Sequence, residues 1–353
     1  MSQSSEPRPH VSIARILTVV LPVAVVGIVV YLWSTTLESS ARKELASNVF
    51  ARMFSGEAAT VGAKMEYPDK DGDFVADSPD DPQKCIDPEI LVFSFVAGAE
   101  ESVDEGAWKE LIAALAKETG REVKYIHYSN VDEQLAALRN GELHIAGLNT
   151  GTVPAAVQRD GFVPLCTFGQ PDGTFGYTMQ FLVPADSPIK EPKDVRDHKV
   201  TFTRPDSNSG FKAPVVYLKD QHDMQPERDY AWGFSLGHEE SIKGVAAKEF
   251  EVAPVASDIL ARMIERGEVD PQAIRSIYES ERFPPATFGC AYNLTPELRT
   301  ATRTALLSFE LTGTGLEGEF GSDVTKLVAV NYKDAWANAR RIDRVVAEAR
   351  AGR

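Results

Sequence analysis

Residues Thr203-Arg204-Pro205-Asp206-Ser207-Asn208-Ser209-Gly210-Phe211 set three small polar side chains in a row before a glycine and a hydrophobic run. Hydroxyls and side-chain amides are donors suited to an oxyanion. Where such a run enters a helix, the first backbone N–H groups have no internal partner and the helix dipole is positive. The dipole contributes only about 0.3 to 2 kcal/mol, so several donors must converge for tight binding. Ordinary N-capping needs a single Ser, Asp or Asn. Ser207, Asn208 and Ser209, with the N–H groups of Gly210 and Phe211, therefore read as an anion cradle. Phe234-Ser235-Leu236-Gly237-His238-Glu239-Glu240-Ser241 repeats the arrangement. A short apolar run leads to a helix start at His238, whose imidazole can donate to the same anion or cap its own helix.

Asn149, Thr150 and Thr152 follow an apolar run at 143–148, and Tyr177 precedes one at 179–183. These are positions where open α/β sheets place ligand contacts, beyond the carboxyl ends of strands. A separate cluster lies upstream. Asp69, Asp71, Asp73 and Asp77 alternate around Gly72, a spacing with which carboxylate oxygens can wrap Ca²⁺. Phe74 stands where an EF-hand loop needs glycine and Asp80 where it needs a bidentate glutamate. The likeness is instead to calcium loops of the thrombospondin-repeat or dockerin type. The other reading is a solvated acidic linker kept extended by its own charge. No further cofactor is expected. Cys85, Cys166 and Cys290 show no Cys-x-x-Cys spacing, which argues against zinc and allows at most one disulfide.

The elements that must position these residues alternate between β-type apolar runs and amphipathic helices, the signature of α/β layering. Strands are predicted at 90–95, 123–128 and 143–148, with helices at 108–119 and 132–140 closed by Gly120 and Gly141, giving an open parallel sheet. Strands at 199–203 and 250–255, followed by helices at 211–219 and 257–265, give a second. Residues 179–183 and 288–293 read as two chain passages between the sheets. The result is a two-lobed clam with lobe 1 at 89–178 and 289–353 and lobe 2 at 179–288. A carboxyl-terminal helix at 332–350 either packs on lobe 1 or docks a partner, and its apolar spacing at Trp336, Ile342 and Val346 favours packing.

The chain has 353 residues, 43% of them hydrophobic, and a net charge of -15. That balance argues against nucleic acid, whose binding needs clustered Lys and Arg. Residues 16–33 contain no charge and would span roughly 27 Å as a helix, close to a bilayer core. The segment is longer than a signal-peptide core, and its best cleavage candidate, Ser39-Ser40-Ala41, is a rough small-residue site. It is read as an uncleaved anchor at 16–34, with 1–15 as a cytoplasmic tail and 35–88 as a helical stalk and Asp-rich linker.

The order of several short motifs resembles the substrate-binding components of phosphate, phosphite and phosphonate ABC transporters. These are Asn140-Gly141-Glu142-Leu143-His144-Ile145-Ala146, Gly176-Tyr177, Asp186-Ser187-Pro188-Ile189, Pro192-Lys193-Asp194-Val195, the loop from Pro205 to Gly210, Leu236-Gly237-His238-Glu239-Glu240-Ser241 and Pro296-Glu297-Leu298. The resemblance spans 89–311 and implies the type II periplasmic-binding-protein fold, with a small phosphorus oxyanion as ligand and a membrane permease as partner. It also implies that Ser207, Ser209 and His238 contact phosphoryl oxygens, with Tyr177 facing the ligand. The chain departs from the family at His144, at Leu148-Asn149-Thr150-Gly151-Thr152-Val153, where a tyrosine contact is absent, and at Glu251. The function so read is extracytoplasmic, membrane-tethered ligand binding for transport; a tethered sensory or adaptor module is the alternative. A hydrolase or transferase using Ser207 or Ser209 with His238 as base is disfavoured, because Ser-Asn-Ser-Gly is not the Gly-x-Ser-x-Gly nucleophile turn.

Overall fold

The computed structural model describes residues 67–96, 105–321 and 324–350. The predicted tail, membrane anchor and stalk lie outside them. Among the described residues no helix is long and apolar enough to cross a membrane.

The first lobe is built on six strands: β1 (Ile90–Phe95), β2 (Glu122–Tyr125), β3 (Ile145–Leu148), β4 (Phe162–Gly169), β10 (Thr287–Ala291) and β11 (Lys326–Ala329). Their order is β11-β4-β10-β3-β1-β2. β1 pairs in parallel with β2 and β3, as the alternation of strand and helix predicts. The sheet as a whole is not parallel, however. β10 lies antiparallel between β3 and β4, because the chain returning from the second lobe enters in the opposite direction. Helices α1 (Lys109–Thr119) and α2 (Val131–Arg139) are the crossovers, followed by α3 (Val153–Arg159). α1 ends at Gly120, whose φ of 65° suits a residue without a Cβ and lets its N–H reach the Ala116 carbonyl. Asn130 caps α2 by accepting the Glu133 N–H. Leu91, Phe93, Trp108 and Phe288 are fully buried in this lobe's core.

The second lobe holds β5 (Tyr177–Pro184), β6 (Lys199–Phe202), β7 (Ala231–Phe234), β8 (Ala253–Ala256) and β9 (Ile274–Phe283). β5 runs antiparallel between β8 and β9, and β6 pairs in parallel with β7. The two pieces join where the Thr201 N–H donates to the Val252 carbonyl at 2.8 Å. Helices α4 (Ala213–His222), α5 (His238–Ala246) and α6 (Ser257–Glu265) flank them.

The passages between lobes differ from the expectation. Residues 179–183 lie within β5, and Phe288 to Ala291 within β10. The chain crosses instead at 170–176 and 284–286. Buried apolar runs are strand interiors, whereas these crossings hold a Gln170 to Gly173 turn and the Pro284-Pro285 pair. Tyr177 and Thr178 therefore belong to lobe 2.

The rest of the chain is α7 (Pro296–Ser308), α8 (Gly315–Phe320), α9 (Tyr332–Ala335) and α10 (Ala337–Arg350). The carboxyl-terminal segment does not pack on lobe 1 alone. Trp336 is buried in the first core, but Ile342 and Val346 are buried in the second, so α10 forms a third tie between lobes. Beside it, Lys212 Nζ donates to the Gly151 carbonyl at 2.6 Å and reaches Asp343 Oδ1 at 3.1 Å.

The Asp-rich segment is an ordered loop docked on lobe 1, not an extended linker. Tyr67 packs on Tyr292 with ring centroids 4.5 Å apart, and Lys333 Nζ donates to the Gly72 carbonyl at 3.0 Å. The Arg340 guanidinium covers the Phe74 ring at 4.5 Å. Cys166 and Cys290 are buried free thiols on neighbouring strands, and Cys85 is also free.

Candidate functional site

The lobes meet over a cavity of about 300 Å³. On the lobe 2 side, the chain leaving β6 turns through Thr203 and Arg204 into a π-helical turn, Asn208–Lys212, that runs on into α4. Ser207 is its N-cap: its Oγ accepts the Gly210 N–H at 3.0 Å and lies 3.2 Å from His238 Nε2. Gly210 is demanded by packing, since a Cβ there would sit 1.8 Å from Thr203 Oγ1.

His238 opens α5 with its side chain buried. Its Nδ1 accepts the Ala256 N–H at 3.1 Å, which fixes the ring proton on Nε2. Burial pushes its pKa down to about 4, so the ring is neutral near neutral pH. A ring that already donates from Nε2 cannot take a proton from Ser207. With Ser207 Oγ accepting from Gly210 and His238, the Ser207 hydroxyl proton is free to turn toward the cavity. Ser207 and His238 are thus not arranged as nucleophile and base, and the Ser207 hydroxyl is left as a donor facing the cavity.

Tyr177 is buried at the floor, its hydroxyl donating to Thr150 Oγ1 at 3.2 Å and lying close to the Ser209 and Asn208 side chains. Burial pushes its pKa up to about 12, keeping it a neutral donor. Asn208 Nδ2 is buried with no hydrogen-bond partner among the described residues. An unmet buried donor of this kind costs about 1 to 3 kcal/mol.

On the lobe 1 side Thr150 and Asn149 are already engaged. Thr150 Oγ1 donates to the Pro284 carbonyl at 2.6 Å. Asn149 Oδ1 accepts the Thr152 N–H, and its Nδ2 donates across the cleft to Asp206 Oδ2 at 2.6 Å. Burial alone would raise the Asp206 carboxyl, but the Arg204 guanidinium, with Asn149, outweighs it and holds its pKa below the usual value. The Gly151 backbone packs directly on this loop, so the lobes are closed.

Of the sequence-derived candidates, Ser207, Asn208, Ser209, His238, Tyr177, Asn149 and Thr150 line the cavity, while Thr152 and Gly210 do not. Two of the noted departures lie off its wall as well. His144 Nδ1 accepts the Val92 N–H, and Glu251 accepts the Lys199 N–H. The cavity also has walls that motif reading passed over: Phe95, Phe168 and Phe320, with Arg204, Asp258 and Arg262. Phe95 and Phe168 occupy strand ends, a positional signal that was available; Phe320 arrives only through the fold.

In the aspartate loop, oxygens of Asp69, Asp71 and Asp73 lie within 4.8 Å of one another. Asp77 is not in that group, because its carboxylate accepts the Lys70 N–H at 2.7 Å. Partial burial, with the neighbouring carboxylates of Asp71 and Asp69, raises the Asp73 pKa. A cation would relieve that repulsion.

Residues 93–336 match the family described as ABC transporter, phosphonate, periplasmic substrate-binding protein. A curated relative, the phosphate-import protein PhnD of Mycolicibacterium smegmatis, is 25% identical over 222 residues, covering 60% of this chain and 69% of its own. Among solved structures, a binding-protein component of an ABC phosphonate transporter from Pseudomonas aeruginosa aligns with a TM-score of 0.62. It is 17% identical and covers 76% of this chain and 90% of its own. PhnD1 of Prochlorococcus marinus, in complex with methylphosphonate, aligns with a TM-score of 0.61, 15% identity and coverage of 74% and 99%. The family match spans most of the chain and the two-lobed fold agrees with it: this protein belongs to the periplasmic substrate-binding proteins of phosphonate ABC transporters.

Proposed function

We propose that the closed cleft holds the phosphoryl oxygens of a phosphonate or a related phosphorus oxyanion through the Ser207 hydroxyl, Asn208 and Ser209, with His238 and Tyr177 behind them: His238 gives its Nε2–H to Ser207 Oγ and Tyr177 its hydroxyl proton to Thr150 Oγ1. The observation behind this reading is the convergence of the unmet Asn208 Nδ2 donor with a Ser207 hydroxyl whose proton the donating His238 leaves free for the cavity. The binding of methylphosphonate by the Prochlorococcus neighbour and the phosphate-import role of the mycobacterial relative support it. Phosphate and phosphite remain alternative ligands. Asn149 and Thr150 position the closure and Gly210 permits the turn, while Thr152 braces the loop. The Arg204 guanidinium is engaged by Asp206, so neutral donors would do most of the binding.

The same reading makes the protein a binder that delivers to a permease and performs no chemistry of its own. The uncharged segment at 16–34 would tether it to the membrane with its lobes outside the cytoplasm, keeping it near its partner. A sensory or adaptor role would use the same closure. Asp69, Asp71 and Asp73 form a calcium loop in this scheme, which would stiffen the docked segment joining the tether to lobe 1.

Calorimetry with phosphate, phosphite and methylphosphonate on ligand-free protein tests the site. Binding of at least one is expected, and Ser209→Ala should weaken it by about 1 to 3 kcal/mol, the scale of a hydrogen bond to a charged group. Heat from none of the three would overturn the reading.

A further inference from the structure

We infer that the ligand carries an apolar substituent of about benzene size on its phosphorus head group, an inference that rests on the oxyanion reading above. The two lobes present opposite chemistry to the cavity. Lobe 2 supplies the free donors, the Ser207 hydroxyl and Asn208 Nδ2. Among the described residues lobe 1 supplies mostly carbon: Thr150 is spent on the Pro284 carbonyl and Asn149 on Asp206 and the Thr152 N–H, and Glu319 is its one carboxylate on the wall. What remains there is Phe95, Val96 and Phe168 at strand ends, Pro285 and Ala286 at the second crossing, and Phe320.

These rings are held in place. Phe168 and Phe320 have centroids 4.2 Å apart and Phe95 and Phe320 5.7 Å apart, and both Phe95 and Phe168 also contact Phe288 in the core. Such a wall cannot turn a polar group toward the ligand, so it favours an apolar one. Size agrees with the chemistry. A cavity of about 150 Å³ lined by apolar side chains can hold benzene, and this one, at about 300 Å³, has room for a phosphoryl head as well. Bare phosphate would leave the aromatic wall facing trapped water.

Carboxylates also occur on the cavity wall, at Glu239, Glu240, Asp258 and Glu319, and they define the competing outcome of an ammonium-bearing substituent. Glu239 lies 3.7 Å from Lys243 and Asp258 Oδ2 3.4 Å from Arg262, while Asp258 Oδ1 has no hydrogen-bond partner among the described residues. Arg266, also on the wall, crosses the cleft to donate to the Gly318 and Glu319 carbonyls.

Calorimetry on the full chain with phenylphosphonate, methylphosphonate, 2-aminoethylphosphonate and phosphate tests the inference. Phenylphosphonate should bind about tenfold or more tighter than methylphosphonate, from the apolar area it buries. Phe320→Ala should shrink that ratio toward one. Equal or tighter binding of methylphosphonate or phosphate would overturn the inference while leaving the oxyanion site standing. Tightest binding of 2-aminoethylphosphonate would overturn it in favour of Asp258. Binding of none of the four would overturn the oxyanion reading itself.

Discussion

Acidification should destabilise the second lobe through His238, by an amount the structure sets. The ring is buried and its Nδ1 accepts the Ala256 N–H, so a second ring proton would face a donor in a buried site. Burial lowers its pKa from 6.5 to about 4. The sign follows from proton binding. Between those two values the unfolded chain takes up a proton that the folded protein refuses, so stability is intact above 6.5 and is lost as pH falls. The gap, at about 1.4 kcal/mol for each tenfold change in proton affinity, amounts to about 3 kcal/mol by the time pH reaches about 4. Urea denaturation of wild type and His238→Asn across this range isolates the effect. An asparagine Oδ1 can still accept the Ala256 N–H, and His144, also lowered by burial, cancels in the difference. The wild type should lose about 3 kcal/mol more than the variant between about pH 7 and about pH 4. A difference that stays flat to within about 0.5 kcal/mol, the usual error of such comparisons, would refute the buried neutral imidazole and the donor role built on it.

Two more outcomes follow from the closed interface and the aspartate loop. Gly151→Ala would put a Cβ 2.2 Å from the Asp206 carbonyl and 2.8 Å from the Asn208 N, both backbone atoms of the opposite lobe. Ligand affinity should fall about tenfold or more as closure is blocked, with circular dichroism unchanged; a variant that small-angle scattering shows closing normally on ligand would refute the wedge. Calcium at a hundredfold excess over its Kd should raise unfolding stability by about 2.7 kcal/mol if the loop binds it. No stability shift at millimolar calcium would return the loop to an acidic docking segment.

Much of the architecture was legible because it is local. The run Ile90 to Phe95, the closures at Gly120 and Gly141, and the polar turn from Ser207 to Gly210 each state their structure within a few residues, through burial pattern, left-handed backbone and capping chemistry. The same locality marked Ser207, Ser209 and His238 as an anion site, since a helix start announces its unpaired donors. The crossings were misplaced for a related reason: an apolar run states that it is buried but not in which sheet.

The remaining features depend on pairs distant in sequence. Asn149 meets Asp206, Lys212 meets Gly151 and Asp343, and Phe95 meets Phe320 only once the lobes close. Ile342 and Val346 show the same helical spacing whichever lobe they cover, and only packing assigns them to the second. The sequence by itself therefore determined a two-lobed α/β fold and a helix start whose polar residues suit an oxyanion. Tertiary structure decided that lobe 1 answers that start with aromatic carbon, because which groups are already spent in hydrogen bonds is a property of contacts and not of spacing.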